Sequence, residues 1–194
     1  MKRSGAAALL AAALGAVLPA SAVPQAAHAQ DRPPAMPLRD VDVTYRAGQG
    51  DRVVEQRSRF RAADQRLRLD TPTPGLYAIV DLRARTMAVV SVADRAVMDL
   101  PAPAAATPGG VATAAHFVRR GADEVAGLAC TEWETTDTAG QPTLACYTPD
   151  GVMLRARRGP QVLVAATRVA YGGLDAAAFA VPPGYAHASR PGPR

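Results

Sequence analysis

Apolar and polar residues alternate along most of the chain, with the period of two that is typical of half-buried β-strands. Val41, Val43 and Tyr45 alternate with charged or polar neighbours, and residues 66–70 repeat the pattern. Turn-forming residues separate these short stretches at regular intervals. The pattern predicts an all-β fold that is mainly antiparallel.

The segments 76–81 and 86–92 are more continuously apolar, as expected for a hairpin of central strands that is covered on both faces. Residues 101–115 are rich in Ala, Pro and Gly and are predicted to form either a loop or a short helix. A single helical turn is predicted over 174–179. All these elements fit one β-rich domain over residues 38–185, a length that gives an adequate core.

The first 29 residues have the pattern of a secretory signal peptide. The basic residues 2–3 precede an apolar run over 6–18, and small residues follow. Cleavage is expected after Ala29, with a second candidate site after Ala22. The apolar run is shorter than a membrane span requires, so we expect a periplasmic protein whose mature form has no stable membrane span.

Both ends of the remaining chain are predicted to be disordered. Residues 30–37 form a polar, proline-rich lead-in, and residues 186–194 form a tail rich in Pro, Gly and Arg. The formal net charge of +5 is modest, and the arginines are scattered through the predicted strands and turns. Nucleic-acid binders usually collect basic residues in one run or on one face, so no nucleic-acid partner is predicted.

Both cysteines and the only tryptophan lie in one predicted hairpin within residues 127–151. Pairing about residue 138 places Cys130 opposite Cys146, and opposed residues of an antiparallel pair are close enough for a disulfide. Two cysteines in an exported chain favour a disulfide over a metal site or a catalytic thiol. A Cys130–Cys146 disulfide is therefore predicted, and closing a loop of about 15 residues is worth roughly 3 kcal/mol.

Three short segments resemble a family of small exported bacterial proteins of unassigned function. Residues 125–130 and 146–155 match its "G-x-x-C" and "C-x-x-x-D-G-x-x-L" patterns, and residues 179–185 are similar to its closing "F-x-V-P-x-G-Y". That family looks related in fold to the LolA/LolB lipoprotein-localisation factors. The resemblance implies a strongly curved sheet or half-barrel with an apolar cavity, short helices from 101–115 and 174–179 as a lid, and a lipid or lipoprotein acyl chain as ligand.

Few residues could carry catalysis. After signal removal only His116 and His187 remain, whereas zinc and iron sites need several convergent ligands, so neither a metal nor a cofactor is predicted. Glu132 and Glu134 share a strand face and could form a carboxylate pair, but surface carboxylates are far more often solvated. No Gly-x-Ser-x-Gly elbow occurs. We therefore expect no catalytic residue and no enzyme activity.

Trp133 and Tyr147 are expected on the hairpin face opposite the disulfide. A possible apolar pocket would be lined by these two residues together with Val43, Tyr45, Leu67, Leu69, Ile79 and Val89. A filled core uses the same residue types, so both interpretations are open at this stage. The first hypothesis is a non-catalytic periplasmic protein that binds a lipid or other apolar ligand in the concave face of a curved sheet. The alternative is an envelope structural or protein-interaction module without a small-molecule ligand. No pattern predicts an oligomeric state.

Overall fold

The computed structural model describes residues 32–49, 52–103, 116–136 and 140–188. The strands within these ranges are β1 Val41–Gln49, β2 Arg52–Arg61, β3 Arg66–Asp70, β4 Leu76–Asp81, β5 Thr86–Ser91, β6 Ala96–Pro101, β7 Val118–Val125, β8 Leu128–Thr136, β9 Pro142–Tyr147, β10 Met153–Arg158, β11 Gln161–Tyr171 and β12 Ala186–Ala188. One four-residue 3₁₀ helix, Ala176–Phe179, lies between β11 and β12. The prediction of an all-β fold is confirmed.

All twelve strands form one sheet, in the order β12-β6-β5-β4-β3-β2-β1-β11-β10-β9-β8-β7. Neighbouring strands are antiparallel except for β12, which runs parallel to β6. In the described part of the chain β7 and β12 are the two edges, so the sheet is not a closed barrel. Cα atoms of β7 nevertheless come within 8 Å of β11. A flat sheet would hold these strands roughly 19 Å apart, at about 4.8 Å per strand, so the sheet bends here.

The main core lies on one face of this sheet, which we call the core face. Val41, Val43 and Tyr45 of β1 point to it and are at most 2% exposed. The core face continues across β2 and β3, because Val41 opposes Phe60 and Phe60 opposes Leu67. The alternation that predicted half-buried strands therefore corresponds to one continuous layer of buried side chains.

A smaller apolar cluster lies on the opposite face of β4–β6. Its buried members are Tyr77, Ile79, Val90 and Val97, and Val181 and Tyr185 pack against them. We call residues 176–185, which begin with the 3₁₀ helix, the C-terminal segment; Phe179 of this helix is 1% exposed. The guanidinium of Arg68 donates to the carbonyl of Ala178 at 2.9 Å and lies 3.7 Å from the ring centroid of Tyr77. The C-terminal segment is thus held on the opposite face by both packing and hydrogen bonds.

This position changes the prediction of a lid. The helical turn expected over 174–179 is present, but it covers the face away from the main core. Most of the other expected lid piece, 104–115, lies outside the described residues. A helical lid over the core face is therefore not confirmed. Within the described ranges, no helix is long and apolar enough to span a membrane.

The disulfide hairpin is present with a register that differs from the predicted one. Cys130 and Cys146 are bonded, with Cα atoms 5.5 Å apart. Cys146 is directly opposite Glu132, not Cys130, because the pairing is centred on residue 139, with Thr136 opposite Pro142. The two cysteines are thus diagonal neighbours. A shift of two residues keeps every side chain on its face, so Trp133 still lies on the face opposite the disulfide.

The N-terminal segment, residues 32–40, packs against the turn that follows Cys146. Residues 32–37 of the expected lead-in are described, and Pro33 and Pro37 are buried. The backbone N–H of Leu38 donates to the carbonyl of Asp150 at 2.9 Å. Gly151 adopts φ +87°, and an added Cβ would lie 2.7 Å from the carbonyl oxygen of Met36. The "D-G" of the sequence motif is therefore the point at which the N-terminal segment meets the sheet.

The Asp150 carboxylate gathers three donors at this point. It accepts from Arg39 Nε at 2.7 Å, from Thr148 Oγ1 at 2.5 Å and from the Tyr171 hydroxyl at 3.1 Å. The Arg39 guanidinium also lies 3.7 Å from the ring centroid of Tyr171. Partial burial raises the pKa of Asp150, but these hydrogen bonds outweigh burial and hold the pKa below its usual value.

Candidate ligand-binding face

The predicted pocket residues divide into three groups. Five of them lie in the main core and are at most 6% exposed, namely Val43, Tyr45, Leu67, Trp133 and Tyr147. Leu69 and Val89 lie on the same face but are only half-buried. Ile79 lies in the cluster on the opposite face, because it neighbours Val80 in β4 and successive strand residues point to opposite faces. The structure therefore does not bring Ile79 together with the others.

The buried group fills its part of the core face with protein contacts. The Tyr45 hydroxyl donates to the carbonyl of Met153 at 2.8 Å, and burial raises the pKa of Tyr45. Phe117 meets the rings of Trp133 and Tyr147 edge-on, with centroids 6.4 Å apart in both pairs. Burial also raises the pKa of Tyr147 to about 12. The five side chains of this group are in contact with other side chains and are at most 6% exposed.

The core face opens toward β6. One row of directly opposed residues crosses it from β3 to β6, namely Leu69, Ala78, Val89 and Met98. A second row consists of Leu67, Val80, Met87 and Leu100. Exposure rises along each row, from half-buried Leu69 to Met98 at 39% exposed, and from fully buried Leu67 to half-buried Leu100. We call Leu69, Ala78, Met87, Val89, Met98 and Leu100 the open apolar face.

Four of these six residues were not among the predicted pocket residues, namely Ala78, Met87, Met98 and Leu100. The signal that could have found them is the alternation itself, because Met87 and Val89 share one face of β5 and Met98 and Leu100 share one face of β6. Choosing among apolar residues also requires the strand order. The sequence alone does not show that β3 to β6 lie side by side.

A cleft of about 300 Å³ lies on the opposite face, between the sheet and the C-terminal segment. Arg66, Asp81 and Asp99 are among its lining residues, beside Phe179 and Val181. Arg66 reaches Asp81 at 3.4 Å and donates to the Phe179 carbonyl at 3.3 Å. This mixed and charged lining does not suit an acyl chain, because burying charged groups against an apolar ligand is costly.

Both members of the candidate carboxylate pair, Glu132 and Glu134, form ion pairs with arginines. Glu132 accepts from Arg155 at 2.9 Å and from Arg157 at 3.4 Å, while Glu134 accepts from Arg120 at 2.8 Å. These contacts make the two glutamates separate ion pairs. Within the described residues no group of three or more His, Cys, Asp and Glu side chains could hold a metal ion.

The two histidines do not come together either. The Nδ1 atom of His187 lies 2.7 Å from a carboxylate oxygen of Asp99, which ties β12 to its neighbour β6. His116 lies before β7, at the other end of the strand order. Residues 186–194 were predicted to be a disordered tail, but His187 lies in the edge strand β12.

Comparison with known proteins finds structures with a similar fold but no family to which this chain belongs. No protein-family model and no curated protein matches the chain. An uncharacterized conserved protein from Thermus thermophilus has a similar structure, with a TM-score of 0.57 and 10% identity, over 79% of this chain and 91% of the other. MucB, solved in complex with MucA(peri), gives a TM-score of 0.50 and 15% identity over 77% of this chain. PNGF-II gives 0.50 and 12% identity over 79% of this chain.

These similarities concern the fold alone, since all identities are low. The chain spans 56% of the MucB chain and 31% of the PNGF-II chain. MucB has a LolA-like fold, so its similarity agrees with the fold that the sequence motifs imply.

Proposed function

We propose that this protein is a non-catalytic binding protein of the periplasm, which holds an acyl chain or another apolar group on the open apolar face. The observation that carries the proposal is the pair of apolar rows that cross β3 to β6, where burial falls from fully buried Leu67 to half-buried Leu100 and to Met98 at 39% exposed. Contiguous exposed apolar surface on a folded protein usually marks a binding site. The adjoining part of the core face is filled, so the ligand lies beside the main core and not within it.

The dimensions of this face suit an extended chain. The row from Leu69 to Met98 crosses three strand spacings, which is about 14 Å. Burying a methylene contributes roughly 0.8 kcal/mol, so ten methylenes covered on one side would contribute about 4 kcal/mol. Contact on one side alone corresponds to a dissociation constant of about 1 mM. Retention of a lipid through purification therefore requires that the other side of the acyl chain is also covered, which would bring the contribution to about 8 kcal/mol.

Export and the lack of catalysis are supported by separate features. The N-terminal pattern is that of a signal peptide, and a disulfide persists in oxidising compartments such as the periplasm. The carboxylates that could have formed a catalytic pair are held by Arg155 and Arg120 in different ion pairs. The open apolar face offers no charged side chain among its six residues.

The test is a titration with a fluorescent long-chain fatty acid. Val89→Gln places an amide in the middle of the open apolar face, and we expect it to weaken binding about tenfold or more because the amide must be desolvated. Val162→Gln is the matched control, since Val162 is 45% exposed on β11 and lies off this face; it should leave binding unchanged. Binding that neither substitution alters, or no binding by the parent protein, would contradict the proposal.

A second candidate function is a protein-interaction module without a small-molecule ligand. It is favoured by the fold similarity to MucB, whose structure was solved in complex with MucA(peri). Such a partner would place apolar side chains on the same open apolar face. A photo-crosslinking amino acid in place of Met98, activated in cells, distinguishes the two: a crosslinked polypeptide supports the interaction module, and a crosslinked lipid supports the carrier.

A further inference from the structure

The strand β7 is a long edge of the sheet. It approaches β11 within 8 Å but pairs only with β8 among the described strands, and the six residues between Val118 and Val125 are all exposed, so this edge is accessible. Exposed edges of this length are ready templates for pairing with another strand. The opposite edge, β12, has three residues, so β7 is the longer of the two edges of the described sheet.

The charges of β7 are arranged as an inverted repeat. The strand reads Val-Arg-Arg-Gly-Ala-Asp-Glu-Val from residue 118 to residue 125. When the strand is placed antiparallel to a copy of itself, Arg119 meets Glu124 and Arg120 meets Asp123, while the two valines meet at the ends. Opposite charges across a strand pair are stabilising, and like charges are destabilising.

A β-bulge makes this pairing consistent with the two faces of the sheet. Opposed side chains must point to the same face, but Arg119 and Glu124 are an odd number of residues apart and would point to different faces in a regular strand. The register between β7 and β8 shifts between Arg119 and Gly121, which inserts one residue. As a result Arg119, opposite Trp133, and Glu124, opposite Ala129, lie on the same face.

The same bulge places the two-fold axis of the pair at Ala122. With Arg120 as the inserted residue, Arg120 and Gly121 together oppose Asp123 of the second copy, and Ala122 opposes Ala122. The turn after β7 has two residues, both with positive φ, so Val125 and Leu128 are the hydrogen-bonded pair beside it. Hydrogen-bonded and non-hydrogen-bonded pairs alternate along two antiparallel strands. Ala122, three residues before Val125, therefore belongs to a non-hydrogen-bonded pair with β8, and its N–H and C=O point away from β8, toward the second copy.

We propose that two copies of this protein pair through β7, antiparallel and about a two-fold axis at Ala122, so that their sheets become continuous. Arg119 and Glu124 then form the decisive contacts. Within the described residues they have no ion-pair partner, whereas Arg120 already pairs with Glu134 and Asp123 with Arg155. The dimer therefore provides partners for the two charges that the single chain leaves exposed.

The test is sedimentation velocity on the purified protein at concentrations up to about 500 µM, because the contact is smaller than a standard interface and the dimer should be weak. Arg119→Glu sets like charges opposite each other twice, by symmetry, and should raise the dimer dissociation constant about tenfold. The double variant Arg119→Glu/Glu124→Arg restores opposite charges in reversed order and should restore dimerisation.

Restoration by the double variant is the informative result, because it requires residue 119 to face residue 124 of another copy. Ala122→Pro provides a second test: it removes the outward N–H at the axis and leaves the β8 ladder intact, so it should abolish the dimer with little change in the melting temperature. A protein that stays monomeric at every concentration overturns the proposal. So does a dimer that Arg119→Glu does not weaken, or one that the double variant fails to restore.

Discussion

Replacing Gly151 by alanine should weaken the attachment of the N-terminal segment to the sheet. Gly151 has φ +87°, and a Cβ at this position would lie 2.7 Å from the carbonyl oxygen of Met36 and 2.9 Å from the Cβ of Pro34. Both neighbours belong to the N-terminal segment. The substitution therefore introduces two separate costs, one in the backbone of the turn and one in the contact with that segment.

The magnitude of each cost can be estimated. A non-glycine residue at positive φ costs roughly 1–2 kcal/mol, and forcing an extra carbon into a packed contact typically costs about 1–3 kcal/mol. Gly127→Ala separates the two terms, because Gly127 has φ +74° and nothing within 4 Å of an added Cβ. We expect Gly127→Ala to lower the free energy of unfolding by about 1–2 kcal/mol and Gly151→Ala by a further 1–3 kcal/mol.

Urea denaturation of the parent protein and both variants measures these differences. Limited trypsin digestion provides a local readout, because Arg39 holds the segment through Asp150 and cleavage after Arg39 requires the segment to detach. Gly151→Ala should accelerate this cleavage, whereas Gly127→Ala should not. Equal loss of stability in the two variants, with the same rate of cleavage after Arg39, would refute the reasoning.

Three further predictions concern the disulfide, the C-terminal segment and acid stability. Replacing Cys130 and Cys146 by alanine should lower the melting temperature by roughly 6–12 °C, since the bridge is worth about 3 kcal/mol; an unchanged calorimetric transition would contradict this. Phe179→Ala should cost about 3–5 kcal/mol in urea denaturation, because Phe179 is 1% exposed, and a loss below about 1 kcal/mol would mean that the C-terminal segment is not packed as described. Asp150 has a lowered pKa in the folded state, so its stabilising contribution is present above the usual carboxyl pKa and is lost as the pH falls through the lowered value. Asp150→Asn should therefore flatten the loss of stability below about pH 4, and parallel pH profiles would contradict this.

The sequence was sufficient for features that depend on local pattern. Alternation of apolar residues predicted the strands around Val41 and Leu67, and the turn residues predicted the hairpins between them. The disulfide was predicted correctly even though the register was wrong by two residues. A shift of two residues keeps Cys130 and Cys146 on one face and within bonding distance as diagonal neighbours, so the pairing tolerated this error in the turn.

Other features depend on which strands become neighbours, and no local pattern contains that information. Ile79 is an exception that could have been placed from sequence, because the predicted hairpin of 76–81 and 86–92 sets it opposite Ala88 and so on the other face from Val89. The 3₁₀ helix was found from its sequence, but its place against β3 to β6 is set by tertiary contacts of Phe179 and Arg68. The expected tail contains β12, whose pairing with β6 adds the tie between His187 and Asp99.

The most direct test of the proposed function is native mass spectrometry on protein that has been purified gently from the periplasm without detergent. Our account predicts a population with excess mass of lipid size, which is lost when the open apolar face carries Val89→Gln and is retained with Val162→Gln. A bare polypeptide mass in repeated preparations, together with no uptake of added fatty acid, would contradict the account and leave the protein-interaction module as the better explanation of this fold.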